Sequence, residues 1–232
     1  MKKEGRYPAL GVKRSKKVFN TGSGTLIGLS RNLKRVIKFF PHDLRAGRGN
    51  AVYPRQIGRK PSRPITNHKA IEYYSLLMHD AYWKEHSRTY GPQKVTYYRV
   101  RPVKLIREGK NYHVTEKING PNLDDFISYM RGYKFKKREG QTPEQKSDFE
   151  LRRKGLADLI KTNKAEMKEF KKHLDELHKE INRQMDWIRN NPHSDGIDLY
   201  QSNLKESDFI VEGFSRSKTG QLRLKLVMVD YQ

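Results

Sequence analysis

Apolar residues recur three or four positions apart from Met167 to Ile188, and this stripe restricts the fold more than any other feature of the sequence. The spacing predicts one long amphipathic helix that buries a single face and ends at Asn191 and Pro192, because proline cannot continue a helix. A coiled coil would show the same stripe. Since the segment is single and apolar strands follow it, we expect a helix packed within a globular domain. The stripe consists of Met167, Phe170, Leu174, Leu177, Ile181, Met185 and Ile188.

The composition predicts a protein that folds without disulfides or membrane insertion. With 34% hydrophobic residues, a chain of 232 residues can bury a core as one domain or as two small lobes. The sequence has no run of eighteen apolar residues, and residues 1–6 lack the apolar stretch of a signal peptide. We therefore expect a soluble, cytoplasmic protein with no membrane partner. The absence of cysteine excludes disulfides and thiolate metal sites.

The charge is strongly positive, with 49 Lys and Arg against 26 Asp and Glu and a formal net charge of +23. Up to Ile65 the only acids are Glu4 and Asp43, so the positive charge concentrates toward the N-terminal end. Residues 41–67, rich in proline, glycine and arginine, are interpreted as an inserted basic loop. This polarity predicts a polyanionic partner such as RNA or a ribonucleoprotein, bound through phosphates. A solvated basic surface is the alternative.

Three glycines near the N-terminus, Gly22, Gly24 and Gly28, lie between short apolar runs and predict a β-hairpin. A glycine turn lets backbone amides approach a phosphate, because no Cβ blocks the approach. A simple Gly-Ser-Gly turn is the alternative. The apolar strand that follows, residues 35–40, carries a single lysine, Lys38, which either reaches solvent from the strand edge or binds an anion.

The middle of the chain predicts a helix and then two strands. Residues 66–81 place apolar side chains at helical spacing, and Glu72 lies in the first half of this helix. Without another role, Glu72 would be an exposed acid near the positive helix dipole. Residues 95–106 and 110–118 predict a strand hairpin. The charged, apolar-poor residues 131–153 predict a flexible insertion or an interaction arm.

Carboxylates and a carboxamide cluster after the long helix. Asp198 and Asn203 lie five residues apart in the loop Asp-Leu-Tyr-Gln-Ser-Asn. Asp208 directly precedes one apolar strand, and Asp230 follows another. As an alternative, Asp230 is only a polar strand end. Phosphoryl-transfer catalysts of the kinase type arrange a base and two magnesium ligands in this way.

These motifs, in this order, resemble the protein-kinase-like superfamily, which includes eukaryotic-type kinases, aminoglycoside and choline kinases, and small atypical kinases of phages and archaea. The resemblance implies ATP and Mg²⁺ as cofactors, with the glycine hairpin covering the phosphates. It also implies that Lys38 holds the α- and β-phosphates and pairs with Glu72. Backbone around Glu116 would form the hinge that meets the adenine, and Asp230 would chelate magnesium.

The sequence departs from the family pattern at both ends. One more residue separates Gly24 from Gly28 than in the family's G-x-G-x-x-G motif. Tyr231 and Gln232 stand where the family has Phe-Gly. The family's activation segment and substrate-binding helices do not follow, so we expect a reduced C-terminal lobe.

Two alignments of the catalytic loop remain open. In the first, Asp198 is the base and Asn203 a magnesium ligand, which requires a short insertion that loops tolerate. In the second, residues 203–208 align without a gap to the family pattern D-L-K-P-S-N. Asn203 would then replace the base and Asp208 would hold the metal. The first alignment keeps the chemistry intact and is preferred, whereas the second predicts a weak kinase or a pseudokinase.

We therefore predict an α+β, two-lobed protein-kinase-like fold. Residues 1–117 form the basic N-terminal lobe, and residues 118–232 form the reduced C-terminal lobe. The predicted activity is ATP- and magnesium-dependent phosphoryl transfer to a protein or a small molecule. The alternative is a catalytically inert, kinase-like RNA-binding or ribonucleoprotein component, which the net charge favours. Fold analogy alone does not establish activity.

Overall fold

The computed structural model describes residues 18–20, 26–29, 34–39, 72, 75, 97–109, 112–133, 143–190 and 204–229. The chain divides into two compact units. Unit 1 comprises Met1–Tyr53, Lys104–Lys117 and Lys137–Leu151, and unit 2 comprises Pro54–Val103, Ile118–Lys136 and Arg152–Gln232. One predicted lobe boundary, after Lys117, coincides with a boundary between these units, but unit 2 also includes an earlier part of the chain.

The described residues combine strands and helices. The strands are β1 (Val18–Asn20), β2 (Leu26–Leu29), β3 (Arg35–Phe39), β4 (Tyr98–Pro102), β5 (Leu105–Gly109), β6 (Tyr112–Glu116), β7 (Phe209–Arg216) and β8 (Leu222–Met228). The α-helices are α1 (Leu123–Met130), α2 (Pro143–Thr162), α3 (Lys164–Phe170) and α4 (Leu174–Asn190), and short 3-10 turns lie at Lys171–His173 and Glu206–Asp208. The predicted mixture of α and β structure is confirmed.

Unit 1 contains a five-stranded antiparallel sheet in the order β1-β2-β3-β6-β5. Val36, Ile37 and Phe39 favour the extended conformation of β3, because branched and aromatic side chains fit a pleated surface. Strands β1 and β2 pair antiparallel, as the predicted hairpin requires. The turn between them, with Gly22 and Gly24, lies outside the described residues.

The prediction of one strand over residues 95–106 is wrong in one respect, because the chain forms two strands there. Strand β4 ends at Pro102, which has no N–H to continue a ladder. Strand β5 begins at Leu105 and pairs antiparallel with β6, so the second part of the predicted hairpin is confirmed. Strand β4 instead pairs in parallel with β8, which is why it belongs to unit 2.

Unit 2 contains a three-stranded sheet in the order β4-β8-β7. The predicted strands near the C-terminus are confirmed, and β7 and β8 pair antiparallel from Phe209 opposite Met228 outward. The turn between them spans residues 217–221. Gly213 lies within β7 at a bulge, whereas Gly220 occupies the turn with a φ of +81° that suits glycine.

The predicted amphipathic helix is confirmed in its buried face and divided in its backbone. All seven stripe residues are buried, and none is more than 6% exposed. The backbone forms α3 and α4, separated by the 3-10 turn at Lys171–His173, and α4 ends at Asn190, close to the predicted end. The stripe packs in one core with apolar residues of α1, β4, β7 and β8.

The flexibility predicted for residues 131–153 is wrong for residues 143–153, whereas the alternative, an interaction arm, stays a prediction. Helix α2 begins at Pro143, and Phe149, Leu156 and Leu159 are buried at helical spacing along it. Many charged residues separate these apolar positions, which conceals the periodicity in the sequence. Residues 134–142 lie outside the described residues. Within the part of the chain that the structure describes, no helix has the length and hydropathy needed to cross a membrane.

Glu180 on α4 is a buried acid, with 7% of its surface exposed. Its Oε1 atom has no hydrogen-bond partner among the described residues. Burial raises the pKa of the Glu180 carboxyl to about 8, although the Tyr97 backbone N–H and the charges of Arg183 and Arg223 act in the opposite direction. Glu180 is therefore protonated in the folded protein at neutral pH.

We expect Glu180→Gln to stabilise the protein at pH 8 and to have a much smaller effect at pH 5. The folded state keeps a proton that the unfolded chain releases above the ordinary pKa of 4.5, so the free energy of unfolding falls as pH rises from about 4.5 to about 8. A carboxamide removes this titration. Urea unfolding measures the difference in the free energy of unfolding between the variant and the wild type. We expect a difference on the order of 4 kcal/mol at pH 8, because each unit of the pKa difference between the folded and unfolded states contributes about 1.4 kcal/mol. Equal effects at both pH values would contradict a buried, protonated Glu180.

Candidate functional site

Lys38, the predicted phosphate-binding lysine, lies on β3 in the interior of the unit 1 sheet. Ile27 and His113 are its register partners on the two neighbouring strands. Only 8% of Lys38 is exposed, so it does not reach freely into solvent from a strand edge. Burial of an ammonium group is costly unless negative charge compensates it. Lys38 is therefore a buried cation in the interior of the sheet, and its role in phosphate binding stays a prediction.

Two other predicted residues accompany Lys38 in the sequence motif. Gly28 lies within β2, where its backbone pairs with Val18 and Ile37. Glu72 is helical and exposed, and it belongs to unit 2, whereas Lys38 belongs to unit 1. The Lys38–Glu72 pair stays a prediction.

Glu116, at the predicted hinge, is already engaged within unit 1. Its N–H donates to the carbonyl of Lys104 at 3.0 Å, and its Oε1 accepts from the Lys104 N–H at 2.8 Å. The N–H of Lys117 donates to the carbonyl of Lys34 at 3.3 Å. The backbone N–H groups of Glu116 and Lys117 are therefore both used within the fold. An adenine contact near Glu116 stays a prediction, and it would need hydrogen-bonding groups other than these two.

The segment after the predicted hinge is attached closely to β7 within unit 2. The Val211 N–H donates to the carbonyl of Pro121 at 2.9 Å, and Asn122 bridges to Ile210. A Cβ on Gly120 would lie 2.0 Å from the carbonyl oxygen of Val211, so only glycine fits there. The Asn122 side chain then accepts the Asp125 N–H at 2.8 Å and begins α1.

Asp208 is the described acid with the most constrained environment in this region. It ends the 3-10 turn directly before β7 and is 3% exposed. Its Oδ2 atom accepts the Lys205 N–H at 2.8 Å, and its own N–H donates to the Lys205 carbonyl at 2.9 Å. The Val229 N–H donates to the Asp208 carbonyl at 2.9 Å, which extends the β7–β8 pairing by one step. The next residue in the sequence is Asp230.

His178 on α4 connects the turn that carries Asp208 to the helices. Its Nε2 atom lies 2.6 Å from Oε1 of Glu206, and its Nδ1 atom lies 2.9 Å from a guanidinium nitrogen of Arg131. A guanidinium only donates hydrogen bonds, so Nδ1 accepts from Arg131. The contact of Nε2 with Glu206 is an ion-pair distance only, because Oε1 of Glu206 has no partner with hydrogen-bond geometry among the described residues. These contacts link the end of α1, the middle of α4 and the turn before β7.

The remaining predicted site residues, Gly22, Gly24, Asp198, Asn203 and Asp230, lie outside the described residues. Both alignments of the catalytic loop therefore remain open. Across the described ranges, His, Asp and Glu side chains nowhere gather in groups of three or more that would hold a metal ion.

Sequence reasoning missed His178, Glu206 and Arg131. His178 lies beside the stripe residue Leu177, and Arg131 begins the segment predicted to be flexible, so neither residue belonged to a recognised motif. Glu206 falls inside the loop whose alignment was ambiguous. A polar residue directly beside the apolar stripe is a weak signal, because helices commonly carry such residues at the edge of the buried face.

No protein-family model matches the chain, and the searches of curated proteins and of solved structures found no significant match. The kinase-like interpretation therefore depends on the order of the motifs and on the geometry of the residues described above.

We expect Gly120→Ala to destabilise the protein by roughly 2 kcal/mol or more, because the added methyl group would overlap the Val211 carbonyl. Gly220→Ala is the matched control. Nothing lies within 4 Å of a Cβ at Gly220, so this change introduces only backbone strain, worth about 1 kcal/mol. Urea unfolding of both variants measures the costs. Equal costs would contradict the close approach of Gly120 to β7.

Proposed function

We propose that the chain binds ATP with magnesium at a kinase-like site and transfers the terminal phosphoryl group to a protein or small-molecule acceptor. The observation that carries this proposal is the position of Asp208. Its carboxylate is buried in the turn before β7, and its carbonyl is bonded to the residue that precedes Asp230. Asp230 is the next residue in the sequence after Val229, so the proposal assigns its carboxylate to the same Mg²⁺ ion as that of Asp208, since Mg²⁺ prefers oxygen ligands.

The environment of Lys38 also supports the proposal. This lysine is buried on the third strand, after a glycine-containing hairpin, and the kinase lysine motif is expected on such a strand. In the proposed site its ammonium group donates hydrogen bonds to the α- and β-phosphates. Glu72 would pair with Lys38 and hold it in that orientation.

In the proposed site Asp208 and Asp230 hold the metal ion, and the acceptor hydroxyl meets either Asp198 or Asn203. Bound magnesium would neutralise the negative charge of the phosphates. The protein's own residues would then supply positioning and a base. His178 and Arg131 do not contact the acceptor in this proposal, but they fix Glu206 and thereby the turn that carries Asp208.

The gapless alignment fits the described residues without an insertion, and the first alignment fits them with one. Leu204 is fully buried, and Asp208 lies directly before β7, as the gapless alignment requires. Asn203 then occupies the position of the base. A carboxamide does not accept a proton at neutral pH, so this alignment implies slow transfer, whereas the alternative keeps Asp198 as a competent base.

Nucleotide binding is tested first by calorimetric titration with a non-hydrolysable ATP analogue, with and without magnesium. We expect magnesium to strengthen binding in the wild type. Asp208→Asn and Asp230→Asn are each expected to lose at least about tenfold of the magnesium-dependent affinity, because a carboxamide is a poorer metal ligand. Asp158→Asn, which removes an exposed acid on α2, is the matched control and is expected to bind normally. No binding at millimolar nucleotide would contradict the proposal.

Phosphoryl transfer is tested with Asn203→Asp and Asp198→Ala. In the gapless alignment Asn203→Asp installs the missing base and raises the transfer rate by roughly 10²- to 10⁴-fold, while Asp198→Ala has no effect. In the other alignment Asp198→Ala lowers the rate by a similar factor. The release of labelled phosphate, or its transfer to protein, measures both. Intact nucleotide binding without transfer in any variant would contradict the enzymatic part of the proposal.

A further inference from the structure

A shallow groove of about 450 Å³ lies in unit 2, between the end of α1 and the second half of α2. Such a volume is in the range of small-ligand sites. The groove combines aromatic, basic and aliphatic side chains, and none of them belongs to the candidate nucleotide site. Its lining includes Tyr129, Tyr133, Arg153, Leu156, Ala157 and Ile160.

The two tyrosines of the groove are unusually exposed. Tyr129 is 38% exposed and Tyr133 is 68% exposed, and they are two of the three large hydrophobic side chains exposed in the described part of the chain. Aromatic rings gain free energy when they are covered. Two such rings at one concave surface are more typical of a binding site than of scattered surface residues.

The end of α1 fixes the position of these rings. The Tyr133 N–H donates to the carbonyl of Ser128 at 3.0 Å, and the Gly132 N–H donates to the carbonyl of Tyr129 at 2.9 Å. With Gly132 at a φ of +88°, this is a Schellman ending. The residue after the glycine usually packs back onto the helix in this motif, yet the ring of Tyr133 stays exposed. The backbone is ordered before any ligand binds, which lowers the entropic cost of binding.

We propose that this groove binds single-stranded nucleic acid, with a base stacked on Tyr133 or Tyr129 and a phosphate bound by Arg153. Charge complementarity selects this occupant, because the basic Arg153 lines the groove, Lys154 beside it is exposed, and residues 134–138, next in the sequence, carry four positive charges. Aromatic rings among cations are the features by which proteins bind single strands without sequence preference. A duplex keeps its bases stacked, so it cannot use the rings.

The experiment measures the fluorescence anisotropy of a labelled twelve-nucleotide oligouridylate, and of a duplex of equal length, with the full chain. We expect Tyr133→Ala to weaken binding of the single strand about tenfold or more, because base stacking on an aromatic ring is lost. Tyr133→Phe keeps the ring and is expected to bind like the wild type. Neither change is expected to alter duplex binding.

The phosphate contact is tested by the salt dependence of single-strand binding. Arg153→Gln is expected to reduce the slope of log affinity against log salt by about one phosphate contact. Lys154→Gln is the matched control, since it removes the same charge from the adjacent exposed residue, which does not line the groove. Its effect on the slope is expected to be smaller.

Unchanged single-strand binding in both Tyr133→Ala and Tyr129→Ala would overturn the proposal. An equal loss for Tyr133→Phe and Tyr133→Ala, or an equal loss of duplex binding, would also overturn it. Circular dichroism establishes that each variant is folded, as expected for exposed side chains. Binding of the ATP analogue to the same variants is expected to be unchanged, so this proposal and the proposed function can fail separately.

Discussion

The pairing of β7 with β8 is the interaction on which the rest of unit 2 depends. Strand β8 lies in the centre of the sheet, and its buried side chains join the helical stripe of α3 and α4 in one core. At the end of this pairing, the bond between Val229 and Asp208 fixes the acid that we assign to the metal. The hydrophobic burial that stabilises unit 2 therefore also sets the geometry of the proposed site.

Polar contacts around this strand pair add specificity to the fold. His178 holds the turn before β7 against α4, and Gly120 permits the backbone after Glu116 to approach β7 more closely than any side chain would allow. Glu180, in contrast, is a buried carboxyl that the fold accommodates in its neutral form. His178 thus fixes the turn beside the candidate site. The neutral carboxyl of Glu180 instead makes the free energy of unfolding fall as pH rises.

Local patterns in the sequence predicted the elements, and long-range contacts decided what the sequence could not predict. The stripe from Met167 to Ile188 follows from helical periodicity, and β7 and β8 follow from their apolar alternation. The parallel pairing of β4 with β8 joins segments more than one hundred residues apart, and no local signal encodes it. Helix α2 was missed because charged residues separate its buried positions. The catalytic-loop alignment remains open because spacing alone satisfies both alternatives.

We propose above that Asp208 and Asp230 share one metal site beside a bound nucleotide. The most direct measurement is a crystal structure of the protein with manganese and a non-hydrolysable ATP analogue, with anomalous data that locate the manganese. The claim predicts an anomalous peak about 2.1 Å from a carboxylate oxygen of Asp208, with Asp230 and phosphate oxygens around the same ion. Nucleotide and manganese bound elsewhere, with no metal at the Asp208 carboxylate, would contradict it.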